Sequence, residues 1–480
     1  MSSTEIVFSE AFVALGIIIG WITLTCVVGL YCSIKYRKAG ADLWFVAGRR
    51  FGLIILWLSL GANIYSAYTF LGLSGYTVKY GAKVLAILMY GQLSYILAYI
   101  ITPKLWSLGK KHGYMTLSDY FERRFNSKAL GALTAIIGAL FSIPYIQLQI
   151  QGVGYVIDTA GYGLIDPFVS KLIAFGLIAL FTILGGMVSV AFINVLQGAI
   201  MLFSIWSICL LIPILHFGSI GGLFETLATV KPSHITLSPK MLIWAVSTMI
   251  ASSIGFWMWP NRVQGIFTAK DVRVVKRGAL ALSFFQISQI PIILVGASAA
   301  ALYFSGILKL KHVDYALIEM VRITYPPWIL GLIGSGAVAA ALSTAAALLH
   351  TSGALLSRNA YQRLLKPSAS GNELVKIARV FTAAIALIAL YLAIVSPKLI
   401  VFLLLTGYAG VTQFAPGVIL GTTWKNVTKN GVLVGLIAGI ITVVITRIIY
   451  TDPLGVFGGF WGLSINILVA IIVSIVEGKK

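Results

Sequence analysis

Charged residues are scarce in this 480-residue chain, at 10% against about 25% in an ordinary soluble domain. Apolar residues reach 59% and mean hydropathy is +0.97. No stretch of the usual hundred residues or more is left for a soluble catalytic or nucleic-acid-binding domain. Cysteine is nearly absent. Cys26, Cys32 and Cys209 fall in apolar runs without CxxC pairing, which argues against a disulfide framework or a zinc site. The 14 Asp and Glu all lie in loops or at the ends of apolar runs, so the buried carboxylate of a proton relay is not visible. The motifs GxxxxGK[ST], HExxH and GxSxG are missing too, which removes an ATP-driven pump and the familiar hydrolase centres. No enzyme and no organic cofactor is indicated.

What remains is a succession of apolar runs. They predict membrane spans near 10–34, 52–78, 84–106, 129–155, 167–190, 193–216, 241–260, 279–305, 329–357, 376–396, 399–421, 431–450 and 457–476. The first run is too long for a signal-peptide core and is expected to stay as a helix. Thirteen spans put the termini on opposite sides. Of the 35 Lys and Arg, 25 fall in one alternating set of loops, and basic loops stay in the cytoplasm, giving an N-out, C-in layout. The net charge of +21 is then topology plus attraction to anionic lipid, with no call for nucleic acid.

Two spans carry small and polar residues where a membrane helix should be uniform. Span 2 reads GANIYSAYTFLGLSGY and span 7 reads STMIASSIGFWMWPNR. Either alone is equally well a packing face. As a pair they predict unwound helices at matching places in two inverted repeats, 52–216 and 241–421, with a midplane binding site between them. One helix precedes this core (1–51) and two follow it (422–480). Span 9, with GSGAVAAALSTAAALLH, is nearly free of large side chains between Gly334 and Ala347, and Ser343 and Thr344 are the hydroxyls in its middle. They either bond back into their own helix or, with the Ala340 carbonyl and carbonyls freed in span 2, form a sodium site of neutral oxygens. The GxxxGxxxG stripe Gly431, Gly435, Gly439 reads as close helix packing, internal or at a dimer contact.

Several loop patterns have no hydropathy reason to be there: DLWFVAGRR, MTLSDYFERRF, GGMVSVAFINVLQG, FTAKD and FAPGVILGTTWK. With SAYTFLGLSG and AAALST they make the chain resemble the solute:sodium symporter family along most of its length, closest in layout to bacterial sodium/proline symporters. The resemblance implies an all-helical, LeuT-type core working by alternating access in the plasma membrane. It implies sodium on Ala62, Tyr65, Ala340, Ser343 and Thr344. It also implies a solute pocket between spans 2, 4, 7 and 11, which offer Ser66, Thr69, Tyr145, Gln149, Phe256, Trp257, Thr412 and Gln413. Ile64 and Asn194 stand where relatives of this kind carry acids.

No charged side chain is placed to meet a charged solute, so a carboxylate is expected to rest on backbone N–H groups at a half-helix N-terminus. The expected cargo is sodium with a small amino acid such as proline, or a short monocarboxylate. The alternatives are a proton-coupled or uncoupled carrier of the same fold, or a solute sensor or channel. Lipid is the other partner, and the oligomeric state is left open.

Overall fold

Backbone N–H and C=O groups in a bilayer have to be paired within the protein, and the chain meets this requirement with helices. The computed structural model describes residues 3–35, 47–184 and 187–478. Among these, 11 helices are long and apolar enough to cross a membrane, with Leu53–Ile64, Pro167–Ala179 and Ile220–Val230 as shorter apolar helices. The DLWFV stretch, the Cys32 side chain and part of the C-terminal end of expected span 5 lie outside what is described. Large apolar side chains such as Phe12, Ile54, Ile96 and Ile472 cover the outer surface, as contact with lipid requires.

Expected span 2 is two pieces. Leu53–Ile64 ends where Tyr65 turns extended (φ −71, ψ 132), and helix resumes at Tyr68, as a π-turn through Gly72. The N–H groups that would continue the first piece are taken by side chains. Ser66 N–H points to Thr69 Oγ1 at 3.4 Å, Ala67 N–H donates to Gln149 Oε1 at 2.9 Å, and Tyr68 N–H donates to Ser66 Oγ at 3.2 Å. Short hydroxyl side chains compete with the helix for its own backbone, which is why SAYT breaks it.

Expected span 7 breaks for another reason. Pro239–Gly255 passes through a tight turn at Phe256–Met258 and stops at Trp259 (φ −61, ψ 122). Pro260 then opens the helix Pro260–Phe267. A proline excludes its predecessor from the helical region and is pre-set for the first helical position. By contrast Pro327–Ala354 runs unbroken, and all of it from Gly334 to Ala354 is buried.

The loop patterns interlock at one end of the bundle. Phe51 N–H donates to the Thr268 carbonyl and Lys270 N–H to that of Phe51. Trp106 Nε1 donates to the Ala269 carbonyl, and Arg124 Nε to that of Gly421. Asp119 caps its own helix and accepts from Asn359 Nδ2 at 2.8 Å. The Gly431, Gly435, Gly439 stripe packs internally: a Cβ at Gly435 would lie 2.8 Å from the Asn466 carbonyl of the last helix, Gly458–Gly478.

Candidate functional site

The break after Ile64 strips carbonyl oxygens of their helical donors, and Pro327–Ala354 lies against them. Ser343 Oγ sits 2.9 Å from the Ala62 carbonyl oxygen and 3.0 Å from that of Ala340. Thr344 Oγ1 sits 2.7 Å from the Tyr65 carbonyl and 3.2 Å from that of Asn63. The structure therefore brings Ala62, Tyr65, Ala340, Ser343 and Thr344 together, all buried. Thr344 reaches across to the broken helix. The Asn63 carbonyl belongs to the same cluster and went unforeseen, because a carbonyl ligand carries no side-chain signature. The donor set is neutral oxygen throughout, which suits a hard monovalent cation.

Ser66, Thr69 and Gln149 meet at the first break through the bonds given above, and Gln149 Nε2 is buried without a partner. Tyr145 packs on Trp259 at 4.8 Å between ring centres, and its hydroxyl also lacks a partner. Phe256 connects to this pair through Tyr408, whose ring centre lies 6.4 Å from that of Phe256 and 5.4 Å from that of Trp259. Trp257 does not join them. Its Nε1 donates to the Ser94 carbonyl at 2.9 Å, and it lines a narrow crevice with Leu56, Leu60 and Leu282. Thr412 Oγ1 points to the Ala251 carbonyl at 3.3 Å, tying the Ile400–Val411 arm to span 7. Gln413 is committed to the C-terminal pair of helices, donating to the Ala409 carbonyl at 3.0 Å and accepting from Asn466.

One expectation is corrected. Arg262, expected in a loop after span 7, is 2% exposed and lies inside the bundle, so a charged side chain does stand near the expected pocket. Its Nη1 donates to the Phe256 carbonyl and to the Tyr408 hydroxyl, both at 2.9 Å, and its Cζ lies 3.9 Å from the Phe256 ring centre. The run MWPNR reads in sequence as a helix end with a basic loop, which counts the arginine toward topology. Moving one base leaves the charge asymmetry between the two sets of loops intact. Beside it, Asn261 Nδ2 donates to Asn63 Oδ1 at 2.8 Å, joining the two breaks. The only sequence signal for either residue was a polar pair, Asn-Arg, following proline inside an aromatic run.

Toward the far end of the Lys128–Ala160 helix a cleft of about 320 Å³ is lined by Tyr155, Lys171, Lys311, His312 and Lys398, among others. Asp158 at that end is buried and paired to Lys311 at 3.2 Å.

A model of the sodium:solute symporter family matches residues 44–439. The Uncharacterized symporter YodF of Bacillus subtilis is 31% identical over 94% of this chain and 91% of its own. The High-affinity proline transporter PutP of the same organism is 27% identical over 83% of this chain and 85% of its own. Among solved structures, a Na+-coupled sialic acid symporter in a substrate-bound outward-open state superposes with a TM-score of 0.79 at 20% identity, covering 97% of this chain and 98% of that one.

Proposed function

Because the chain belongs to the sodium:solute symporter family, and is thus a multi-pass membrane transporter and not an enzyme, we propose that it carries a small organic solute together with sodium by alternating access. The observation that carries the reading is the cluster of freed carbonyls at Ala62, Asn63 and Tyr65 facing Ser343 and Thr344. An ion held there draws on oxygens from two separate elements, so its affinity depends on how those elements stand to each other. That dependence is what coupling requires: a ligand shifts an equilibrium only by its differential affinity for the two states. The two five-helix repeats, 52–216 and 241–421, are the bodies that move in this scheme. Solute binds on the side of the breaks where Ser66, Thr69, Tyr145, Gln149 and Phe256 lie, with Thr412 closing from the Ile400–Val411 arm. The candidates are a small amino acid such as proline, the solute named for one relative, and a short monocarboxylate.

The test is uptake into proteoliposomes under an imposed sodium gradient, with candidate solutes supplied outside. Wild type is expected to concentrate a solute only with sodium, and the Ser343→Ala, Thr344→Ala double variant to lose this while inserting normally. Wild-type uptake in the double variant would sink the ion-site assignment. Uptake driven by a pH gradient without sodium would establish proton coupling instead.

A further inference from the structure

Burying a charge in a low-dielectric interior demands a partner of opposite sign. Two arginines are 2% exposed among the described residues, Arg262 and Arg447. Arg447 follows the rule, with Asp452 at 2.8 Å. Arg262 does not. Its acceptors are a carbonyl and a tyrosine hydroxyl, no carboxylate of the described residues forms an ion pair with it, and its Nε is buried with no acceptor among them.

The side chains around it repeat the same imbalance. Phe256, Trp259 and Tyr408 place ring centres within 6.0 Å of its guanidinium carbon. Trp259 Nε1, the hydroxyl of Tyr145 against Trp259 and that of Tyr95 against Phe256 are buried and unpartnered, and so is Gln149 Nε2, one turn along the helix from Tyr145. An indole N–H, an amide NH2 and a guanidinium Nε can only donate. A positive centre ringed by unused donors is the complement of an anion, and a guanidinium with a free edge is the group that matches a carboxylate in its plane.

We propose that Arg262 is the carboxylate-binding residue of the solute site, and that the solute is a short monocarboxylate carrying net negative charge. A zwitterionic amino acid fits less well, because its ammonium would be set beside a cation with no acid among the described residues of the cluster to receive it. The cleft lined by Lys171, Lys311 and Lys398 supports the same sign: Asp158 offsets Lys311, and Lys171 and Lys398 leave it net positive. It opens along the helix that bears Tyr145, about 15 Å from that residue at 1.5 Å per residue, and like charges in a concave mouth raise the local concentration of the opposite ion. This inference rests on the symport reading for the identity of the pocket, but its chemistry stands or falls separately.

The experiment is thermal unfolding of the full-length purified protein, in sodium chloride and in matched potassium chloride. The probes are acetate, propionate, lactate and pyruvate, the corresponding amides, and alanine and proline. At least one carboxylate is expected to raise the transition in wild type while its amide does not, and Arg262→Gln is expected to weaken that carboxylate at least tenfold while keeping the shift caused by sodium alone. Arg262→Lys should recover part of the loss. The proposal is overturned if no carboxylate shifts the wild type, if an amide or an amino acid binds as well as the acid, or if Arg262→Gln binds the acid unchanged. Should Arg262→Gln fail to fold, the acid-against-amide comparison on wild type decides alone. Carboxylate binding that is equal in sodium and potassium leaves the proposal standing and defeats the symport reading. A sodium shift with no carboxylate response does the reverse.

Discussion

Replacing Ser343 with Ala and Thr344 with Val removes two hydroxyl oxygens and almost no volume, which makes this pair the sharpest probe of the ion site. Each hydroxyl lies within bonding distance of two carbonyls, at 2.7 to 3.2 Å. Leaving a buried carbonyl unsatisfied costs about 1–3 kcal/mol, and the two losses share neighbouring carbonyls, so they will not simply add. The double variant is therefore expected to lose about 2–5 kcal/mol of stability in potassium. The ion effect is a separate quantity. Sodium at 100 times its dissociation constant stabilises the wild type by about 2.7 kcal/mol. Losing ion contacts each of the strength of a charge-assisted hydrogen bond, about 1.5–3 kcal/mol, weakens binding by roughly a hundredfold or more. At the same sodium concentration the remaining stabilisation falls to about 0.4 kcal/mol or less. The assay is a sodium titration of the unfolding temperature at constant ionic strength, potassium making up the balance. The slope against sodium is the readout, and the starting temperature is not. A variant that unfolds earlier but keeps the wild-type sodium slope refutes the assignment and leaves the two hydroxyls as ordinary cross-helix bonds.

Two other perturbations follow from the geometry. Asp314, in the loop before Pro327–Ala354, is buried with His312 at 3.5 Å and Lys79 facing it, and burial pushes its carboxyl from 3.8 up to about 7. An acid raised in the folded state favours folding when protonated, so its contribution is full below about pH 4 and is lost as pH rises through 7. Wild-type unfolding temperature should fall between pH 6 and 8.5 and Asp314→Asn should flatten that slope; a flat wild-type profile counts against the reading. At Gly255, the end of the first half of span 7, a Cβ would lie 1.9 Å from Thr412 Oγ1 and 3.1 Å from the Thr412 Cα. Gly255→Ala is expected to cost about 1–3 kcal/mol of stability and to depress uptake, and a variant indistinguishable from wild type in both would show that the two arms separate freely.

The oxygen cluster proposed for sodium is legible in the sequence because the signals are local. Ser66 and Thr69 break a helix wherever they turn to their own backbone, Pro260 breaks one by sterics, and a run from Gly334 to Ala347 without bulky side chains invites a neighbour. Side-chain direction was less legible. Phe256 and Trp257 are consecutive, yet one meets Arg262 and the other the Ser94 carbonyl, a difference set by the tight turn through Phe256–Met258 that hydropathy does not record. Gln413 carries the same chemistry as Gln149, but Asn466 of the last helix claims it, and that partner is 53 residues away. Arg262 was misplaced because counting basic residues treats each as a loop marker. An arginine just inside a proline-started half-helix breaks that assumption, since a broken helix lets polar groups enter the bundle without crossing lipid.

The two breaks are mechanically joined. Asn63 offers its carbonyl to Thr344 and its side-chain oxygen to Asn261, and Asn261 precedes Arg262, which holds the Phe256 carbonyl and Tyr408. An ion that draws on the Asn63 carbonyl therefore fixes the residue that positions the first turn of Pro260–Phe267. Coupling of about 1–3 kcal/mol, or 5–150-fold in affinity, corresponds to only one or two hydrogen bonds held or released. Electrostatics favours the same pairing. If the solute is the proposed monocarboxylate, it offsets the guanidinium in the core that also receives the sodium charge, so each ligand lowers the cost of the other. In the proposed pairing the carboxylate's single charge offsets the Arg262 guanidinium, and sodium is left on neutral oxygens, with Ile64 and Asn194 adding no acid.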